Sequence, residues 1–169
     1  VLNPQPAGTD RFIAGNMHPA AFRVYGGQVL AQCVSAAVAT VDADRVLHSQ
    51  HAYFLRPGDP AKEIVLEVER ARDGLSFSSR RVVALQDGKP ILVSSLSFQM
   101  PSIGDDYQPD MPQVPPPEEL VSDLEFYREH ADLIPESLRS KFICEKPIEM
   151  RPVAFHNPFK PQISNAKRY

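Results

Sequence analysis

The sequence predicts an α+β domain in which one helix is followed by an antiparallel sheet. Three observations predict it: a stripe of small apolar residues at helical spacing, four strand-length stretches after that stripe, and turn signals between the stretches. With 169 residues, 43% of them hydrophobic, the chain is long enough for one such domain and part of a second.

The first elements are two short strands, predicted over residues 11–15 and 22–25, and a helix over residues 27–41. Spacings of three and four residues relate the apolar positions of this helix, which are Leu30, Cys33, Val34, Ala37, Val38 and Val41. Their mostly small side chains favour close burial against a sheet. The pair Gly26 and Gly27 lets the backbone approach a ligand or a neighbouring strand, so we expect a narrow binding slot at this end of the helix.

Four long strands are predicted after the helix, over residues 46–56, 63–71, 76–86 and 90–100. Pro57-Gly58-Asp59 ends the first of them, and Asp87-Gly88 is a hairpin signal between the last two. An antiparallel sheet of this size can wrap around a single helix, which is the arrangement called a hot dog. Because one helix covers only part of a sheet face, we expect a homo-oligomer or pairing with a second hot-dog domain.

Proline is abundant, with 17 residues, and residues 101–117 are especially rich in it. Such a run predicts an extended linker. Helices are predicted beyond it over residues 118–131 and 135–142, and a strand over residues 147–155. The predicted domains are therefore an N-terminal hot dog (1–100), the linker with its connecting helices (101–146), and the truncated start of a second hot dog (147–169).

Composition and charge exclude several classes of protein. A formal net charge of −3 without a basic run argues against nucleic-acid binding, and no apolar stretch is long enough to suggest a membrane span. Cys33 and Cys144 form neither a disulfide framework nor a metal-binding spacing. We therefore expect no metal site and a reducing compartment, the cytoplasm, with the peroxisome as the alternative.

His48 and His51 lie in the first long strand. Because they are three residues apart, a regular strand points them to opposite faces, and both can serve one site only if the strand contains a bulge. A structural hydrogen bond is the favoured interpretation of His48, which stays a candidate for catalysis.

Two further pairs of polar side chains are candidates for either a binding role or a structural role. Gln28 and Gln32, one helical turn apart, could orient a water or a substrate carbonyl, or they could satisfy backbone groups of neighbouring strands; both interpretations stay open. Arg80 and Arg81 are expected on opposite faces of a strand, where an ion pair across the sheet is favoured over a phosphorylated ligand. Asp73, within Arg-Asp-Gly, is interpreted as an Asx turn.

Several stretches of the chain resemble the acyl-CoA thioesterase II family. In chain order they are F-R-V-Y-G-G-Q-V-L-A-Q, H-S-Q-H-A-Y-F-L-R-P-G-D, E-V-E-R-A-R-D-G-L-S-F-S-S-R-R-V and the S-F-Q that ends at Gln99. The later segment F-I-C-E-K-P-I-E-M-R-P-V-A-F-H-N-P is similar to the inter-domain region of the same family. The resemblance extends from Arg11 to His156, which is nearly the whole chain.

The resemblance implies a double hot-dog protein that hydrolyses fatty acyl-CoA to free fatty acid and CoA without a metal or an organic cofactor. In that family an Asp, a Thr or Ser and a Gln activate the attacking water, in a second hot dog that would follow Tyr169. No catalytic residue is therefore assigned in this chain beyond the candidate His48. By pseudo-symmetry, the substrate-binding residues are expected to be Gly26, Gly27, Gln28, Gln32 and Gln99.

Two other functions stay open. A hot-dog module without catalysis could bind acyl chains or a partner subunit. A dehydratase of the same fold would be expected to carry a His and a carboxylate at the helix start, where this chain has Gly26, Gly27 and Gln28 instead.

Overall fold

In the first of two units of the chain, residues 1–105, an antiparallel sheet of six strands packs against one helix. The computed structural model describes residues 1–17, 22–146 and 148–154. The helix is α1 (Gly26–Val38), and the strands are β1 (Gln5–Pro6), β2 (Arg11–Ala14), β3 (Val46–Phe54), β4 (Ile64–Asp73), β5 (Phe77–Gln86) and β6 (Lys89–Gln99). Their order across the sheet is β1-β2-β4-β5-β6-β3, which makes β1 and β3 the edge strands.

The small-residue face of α1 lies on one face of the sheet, and every second strand residue points toward it. The inward strand residues are almost fully buried, and the large apolar ones are Ile64, Leu66, Val82, Leu92, Leu96 and Phe98. From the helix, Cys33, Ala36 and Ala37 are at most 1% exposed. Because these three side chains are small, α1 contacts β2, β3, β4, β5 and β6. Burial of each large side chain contributes about 1.5–3 kcal/mol.

The predicted α+β hot-dog architecture is confirmed, with α1, β2 and the four long strands at their predicted places. The strand predicted over residues 22–25 is wrong, because this segment is irregular. The Val24 N–H donates to the Gly58 carbonyl at 2.9 Å, and Tyr25 is the N-cap residue of α1. One backbone hydrogen bond to a loop does not make a strand ladder, so the segment acts as the entry to the helix.

Arg80 is a buried cation that ties the chain after α1 to the sheet. Arg80 is 2% exposed, and its guanidinium donates to the carbonyl and hydroxyl oxygens of Thr40 at 2.8 Å each and to the Asp73 carboxylate at 2.7 Å. Arg81 is exposed and pairs with Glu69 at 3.3 Å, so the predicted ion pairs are present. The hydrogen bond from Arg80 holds the pKa of Asp73 below its usual value of 3.8. Asp73, interpreted from the sequence as a turn residue, is therefore the carboxylate partner of the buried Arg80 guanidinium.

The second unit, residues 106–169, is helical over part of its described length. It contains a 3₁₀ turn (Pro117–Glu119), α2 (Asp123–Glu129), a second 3₁₀ turn (Ala131–Leu133) and α3 (Glu136–Phe142). Ser122 caps α2, because its hydroxyl accepts from the Glu125 N–H while its own N–H donates to the Glu125 carboxylate. The helix predicted over residues 118–131 is thus broken into shorter pieces, and the one predicted over 135–142 is confirmed.

The strand predicted over residues 147–155 is not formed in residues 148–154, whereas residues 147 and 155–169 lie outside the described ranges. The Asp123 N–H donates to the Met150 carbonyl at 2.9 Å, and the Arg151 guanidinium donates to the Leu120 carbonyl at 2.7 Å. These bonds tie the segment to the start of α2 rather than to a strand. The start of a second hot dog beyond it stays a prediction.

Replacement of Arg80 by Met tests whether the buried guanidinium stabilises the first unit. Arg80→Met removes the donors to Thr40 and Asp73, so we expect the free energy of unfolding to fall by about 3 kcal/mol. Arg81→Met is the matched control, because the same change in an exposed ion pair costs less than about 1 kcal/mol. Urea denaturation of both variants measures the difference, and equal losses would contradict this role for Arg80.

Candidate functional site

A cleft of about 420 Å³ opens in the first unit where α1 begins. Its walls combine the start of the helix, the loop that follows β3, and the beginning of β6, and they are formed by Arg23, Val24, Gly26, Val29, Phe54, Leu55, Arg56, Pro57, Gly58, Ile91 and Leu92. The volume falls within the range of about 300–1,000 Å³ usual for small-molecule sites. A binding slot at this end of the helix is what the sequence predicts.

Two glycines bring the cleft walls close together. A Cβ atom on Gly26 would lie 2.9 Å from the ring of Phe54, and one on Gly58 would lie 3.0 Å from Val24 Cγ2. The absent side chain at Gly26 thus makes room for the aromatic ring at the end of β3. Gly27 has a different neighbour, because a Cβ there would lie 2.6 Å from the ring of Tyr25. Gly27 is not among the described residues that line the cleft.

Gln28 and Gln32 hold the segment that precedes the helix. Gln28 is 6% exposed; its side-chain carbonyl accepts from the Met17 N–H at 3.2 Å, and its amide donates to the Asn16 side-chain oxygen at 2.8 Å. The Gln32 amide donates to the carbonyls of Val1 and Gly15 at 3.0 and 2.9 Å. Of the two interpretations left open by the sequence, the geometry favours a structural role, because both side chains bind backbone or local side-chain groups outside the cleft.

His48 occupies a bulge in β3, between Leu47, paired with Phe98, and Ser49, paired with Ser97. The bulge places His48 on the face of the sheet that points away from α1: its Nε2 lies 2.8 Å from Ser97 Oγ, and its ring meets Phe77 edge-on.

His51 lies on this outer face as well, because its neighbours Gln50 and Ala52 point toward α1. The expectation that His48 and His51 point to opposite faces, derived for a regular strand, is therefore wrong, since the bulge adds one residue between them. Both imidazoles are remote from the cleft, which lies on the helix side of the sheet.

Gln99 is the last residue of β6. Its side chain lies on the same outer face, because the neighbouring Phe98 is fully buried toward the helix. Its cross-strand neighbours are Val46 and Phe77. The predicted binding residues are thus divided: Gly26 lines the cleft, Gln28 and Gln32 lie on the helix outside it, and Gln99 lies across the sheet. The structure does not bring them together.

The cleft residues that sequence reasoning missed come from three distant parts of the chain. Arg23, Arg56 and Ile91 line it together, yet residues 23 and 91 are brought close only by the sheet. Arg56 belongs to the L-R-P-G-D stretch, which the sequence marks as a strand end. The basic side chain of Arg56 in that turn was the available sequence signal for a cleft residue.

The described residues offer little other reactive chemistry. Burial raises the pKa of the Cys33 thiol to about 12, so this cysteine stays a protonated, packed side chain. No group of three His, Cys, Asp or Glu side chains within the described ranges could hold a metal ion. Among the helices of those ranges, none has the length and apolar character needed to cross a membrane.

Comparison with known proteins places the chain in a family. The model of the acyl-CoA thioesterase N-terminal domain matches residues 13–99. The chain belongs to this acyl-CoA thioesterase family, and the matched range includes α1 and β3–β6, with every residue that lines the cleft.

Relatives and a solved structure agree with this assignment. The chain is 40% identical over 161 residues to acyl-CoA thioesterase 2 of Haemophilus influenzae, covering 95% of this chain and 56% of that protein. It is 40% identical over 160 residues to human acyl-coenzyme A thioesterase 8, covering 90% and 50%. A tesB protein of Mycobacterium avium subspecies paratuberculosis superposes with a TM-score of 0.63 at 39% identity, over 70% of this chain and 47% of that chain. The chain thus spans about half the length of these relatives.

Replacement of Gln28 by Ala separates its structural role from a role in binding. The change removes the acceptor of the Met17 N–H, and the loss of one hydrogen bond of about 1 kcal/mol predicts about fivefold faster exchange of that amide. Gln50→Ala is the control, because Gln50 donates to Leu30 and Ser94 instead and should leave Met17 unchanged. Unchanged Met17 exchange in Gln28→Ala, measured by NMR, would contradict the structural role.

Proposed function

We propose that this chain is the N-terminal hot-dog domain of an acyl-CoA thioesterase, which hydrolyses fatty acyl-CoA to free fatty acid and CoA. The observation that carries the proposal is the family match over residues 13–99, together with about 40% identity to proteins named acyl-CoA thioesterases. Because the chain spans about half of those relatives, the activity is proposed for a protein that also contains the other half.

The cleft supports a role in holding the acyl part of the substrate. Its walls are dominated by aliphatic and aromatic side chains, among them Val29, Leu55, Ile91 and the ring of Phe54. Burial of such a chain is favourable by about 0.8 kcal/mol for each methylene group. A chain of several carbons therefore has a favourable site beside the start of α1.

The chemical step needs groups that the cleft lacks. Attack of water on a thioester needs a general base, and stabilisation of the oxyanion needs aimed N–H donors. Among the described residues that line the cleft, none carries a carboxylate or an imidazole. His48 lies on the opposite face of the sheet, so we do not assign it the role of base. We propose that the Asp, the Thr or Ser, and the Gln implied by the family resemblance belong to a second hot-dog domain.

The lack of a carboxylate or imidazole among the described lining residues also favours a second candidate function, that of a hot-dog module without catalysis. A cleft with apolar walls and no base can bind an acyl chain without cleaving its thioester. In that case the chain would act by presenting or sequestering acyl groups, or by holding a partner subunit.

We propose that β3 is the surface through which a second hot-dog domain or a second copy of this chain pairs with this one. β3 is nine residues long and has β6 on one side, whereas no strand of the described residues lies on its other side. Its exposed large side chains include Val46, Leu47, Tyr53 and Phe54. A long edge strand with exposed apolar side chains at both ends offers unpaired backbone groups to another strand.

We propose a cytoplasmic location on the basis of the thiols, with the peroxisome as the alternative. Cys33 and Cys144 are both free, which suits a reducing compartment. Cell fractionation followed by immunodetection of the protein tests the location, and recovery from an oxidising compartment would contradict it.

An activity assay tests the proposal that this domain holds the acyl chain while a second hot-dog domain supplies the catalytic groups. Thiol release from decanoyl-CoA should be slow with the isolated 169-residue chain and fast with a longer chain that contains a second hot-dog domain. The intact mass of the native protein should accordingly be about 30 kDa or more.

Matching rates for the two chains would contradict the proposal that the second domain supplies the catalytic groups. Failure of the longer chain to release thiol would favour the module without catalysis. His48→Ala in the longer chain is the matched variant, because it removes an imidazole from the outer face and should change the rate less than twofold.

A further inference from the structure

Two arginines line the cleft and have no acidic partner among the described residues. Arg23 has its guanidinium 5.9 Å from the centre of the Phe22 ring, and the Arg56 guanidinium donates to the Pro90 carbonyl at 2.7 Å. Neither forms an ion pair with a carboxylate of the described residues, whereas Arg70, Arg80 and Arg81 all do. Both guanidinium groups therefore keep N–H donors available to a ligand.

The described side chains that line the cleft carry positive charge only. None of the described lining residues is acidic, and the first turn of α1 contains no Asp or Glu. The nearest acidic residue in sequence, Asp59, is engaged by Lys62 at 3.7 Å. The N-terminal end of α1 adds a partial positive charge to the same region. A single anionic group at the cleft thus meets two guanidinium groups and the N-terminal end of α1, with Asp59 as the acidic residue next to the lining residue Gly58.

The remaining walls specify the rest of the ligand. Val24, Val29 and Ile91 are at most 9% exposed and present only hydrocarbon to the cleft. Leu55 and the ring of Phe54 extend this apolar surface at the end of β3. The occupant that fits both features has a hydrocarbon body and one anionic head group.

We propose that the cleft binds a free fatty acid, with its carboxylate on Arg23 and Arg56 and its chain along Val29 and Ile91. Arginine is suited to this task because its planar fork donates two parallel hydrogen bonds to a carboxylate. A thioester carbonyl carries no net charge, so the two guanidinium groups bind a carboxylate more strongly than they bind that carbonyl. The phosphates of CoA are the competing anions, and the experiment therefore includes free CoA. If the proposed function holds, the ligand is the product of the reaction, and this part of the inference rests on that function.

The experiment compares three ligands of equal chain length by isothermal titration calorimetry with the full chain. Decanoate should bind, decanol should bind at least tenfold more weakly, and decyltrimethylammonium should not bind. In the double variant Arg23→Gln/Arg56→Gln, decanoate affinity should fall at least tenfold to the level of decanol, while decanol affinity should not change.

The control double variant, Arg11→Gln/Arg81→Gln, removes the same number of charges from exposed ion pairs outside the cleft and should bind decanoate like the original protein. Leu55→Glu provides a second variant. Leu55 is 49% exposed, so the substitution is compatible with folding, and its carboxylate should repel decanoate. Circular dichroism verifies the fold of each variant.

Any one of the following results would overturn the proposal: no binding of decanoate, equal affinity for decanoate and decanol, or unchanged decanoate affinity in the Arg23→Gln/Arg56→Gln variant. Displacement of decanoate by free CoA would also overturn it, because the anion recognised would then be a phosphate. Hydrolysis of decanoyl-CoA is measured separately. The hydrolysis assay uses the longer chain that contains a second hot-dog domain. Decanoate binding by the 169-residue chain without hydrolysis by the longer chain contradicts the proposed function alone, and hydrolysis by the longer chain without decanoate binding contradicts this inference alone.

Discussion

Burial of the small-residue face of α1 against the sheet is the interaction on which the rest of the structure depends. Cys33, Ala36 and Ala37 are at most 1% exposed, and they let the helix lie close to the inward side chains of the strands. The close approach of helix and sheet fixes the position of both ends of α1 relative to the strands. At its C-terminal end, Arg80 ties Thr40 to the sheet through buried hydrogen bonds. At its N-terminal end, Gly26 meets the end of β3 and leaves the cleft beside it. A larger side chain on this face would lift the helix and disturb both ends together.

Local periodicity was enough to predict α1 and the four long strands, because the spacing of apolar residues reports directly which face is buried. The division of Arg80 and Arg81 between faces followed from the same alternation. The position of His48 did not, since a bulge depends on the register between β3 and β6 and leaves no local mark in the sequence. The cleft was predicted only by the pair Gly26 and Gly27, of which Gly26 lines it. Its arginines and Ile91 come from separate parts of the chain, and their meeting is a consequence of the sheet order.

The two faces of the sheet have different roles in this account. The helix side carries the core and the cleft, with apolar walls and two available guanidinium groups. The outer side carries the imidazoles of His48 and His51 and the side chain of Gln99, which have no access to the cleft. If the cleft binds an acyl group as proposed, the base for hydrolysis has to come from elsewhere, because none of the described lining residues carries a carboxylate or an imidazole. The family assignment and the span of about half of each relative both fit a division of labour between two hot dogs.

Our proposal that this domain pairs through β3 with another hot dog can be tested by amide hydrogen exchange along that strand. In the isolated 169-residue chain, the β3 amides that point away from β6 should exchange rapidly. In the native assembly the same amides should be strongly protected, because each would donate to a strand of the partner domain. Equally rapid exchange of those amides in the assembly would contradict the claim.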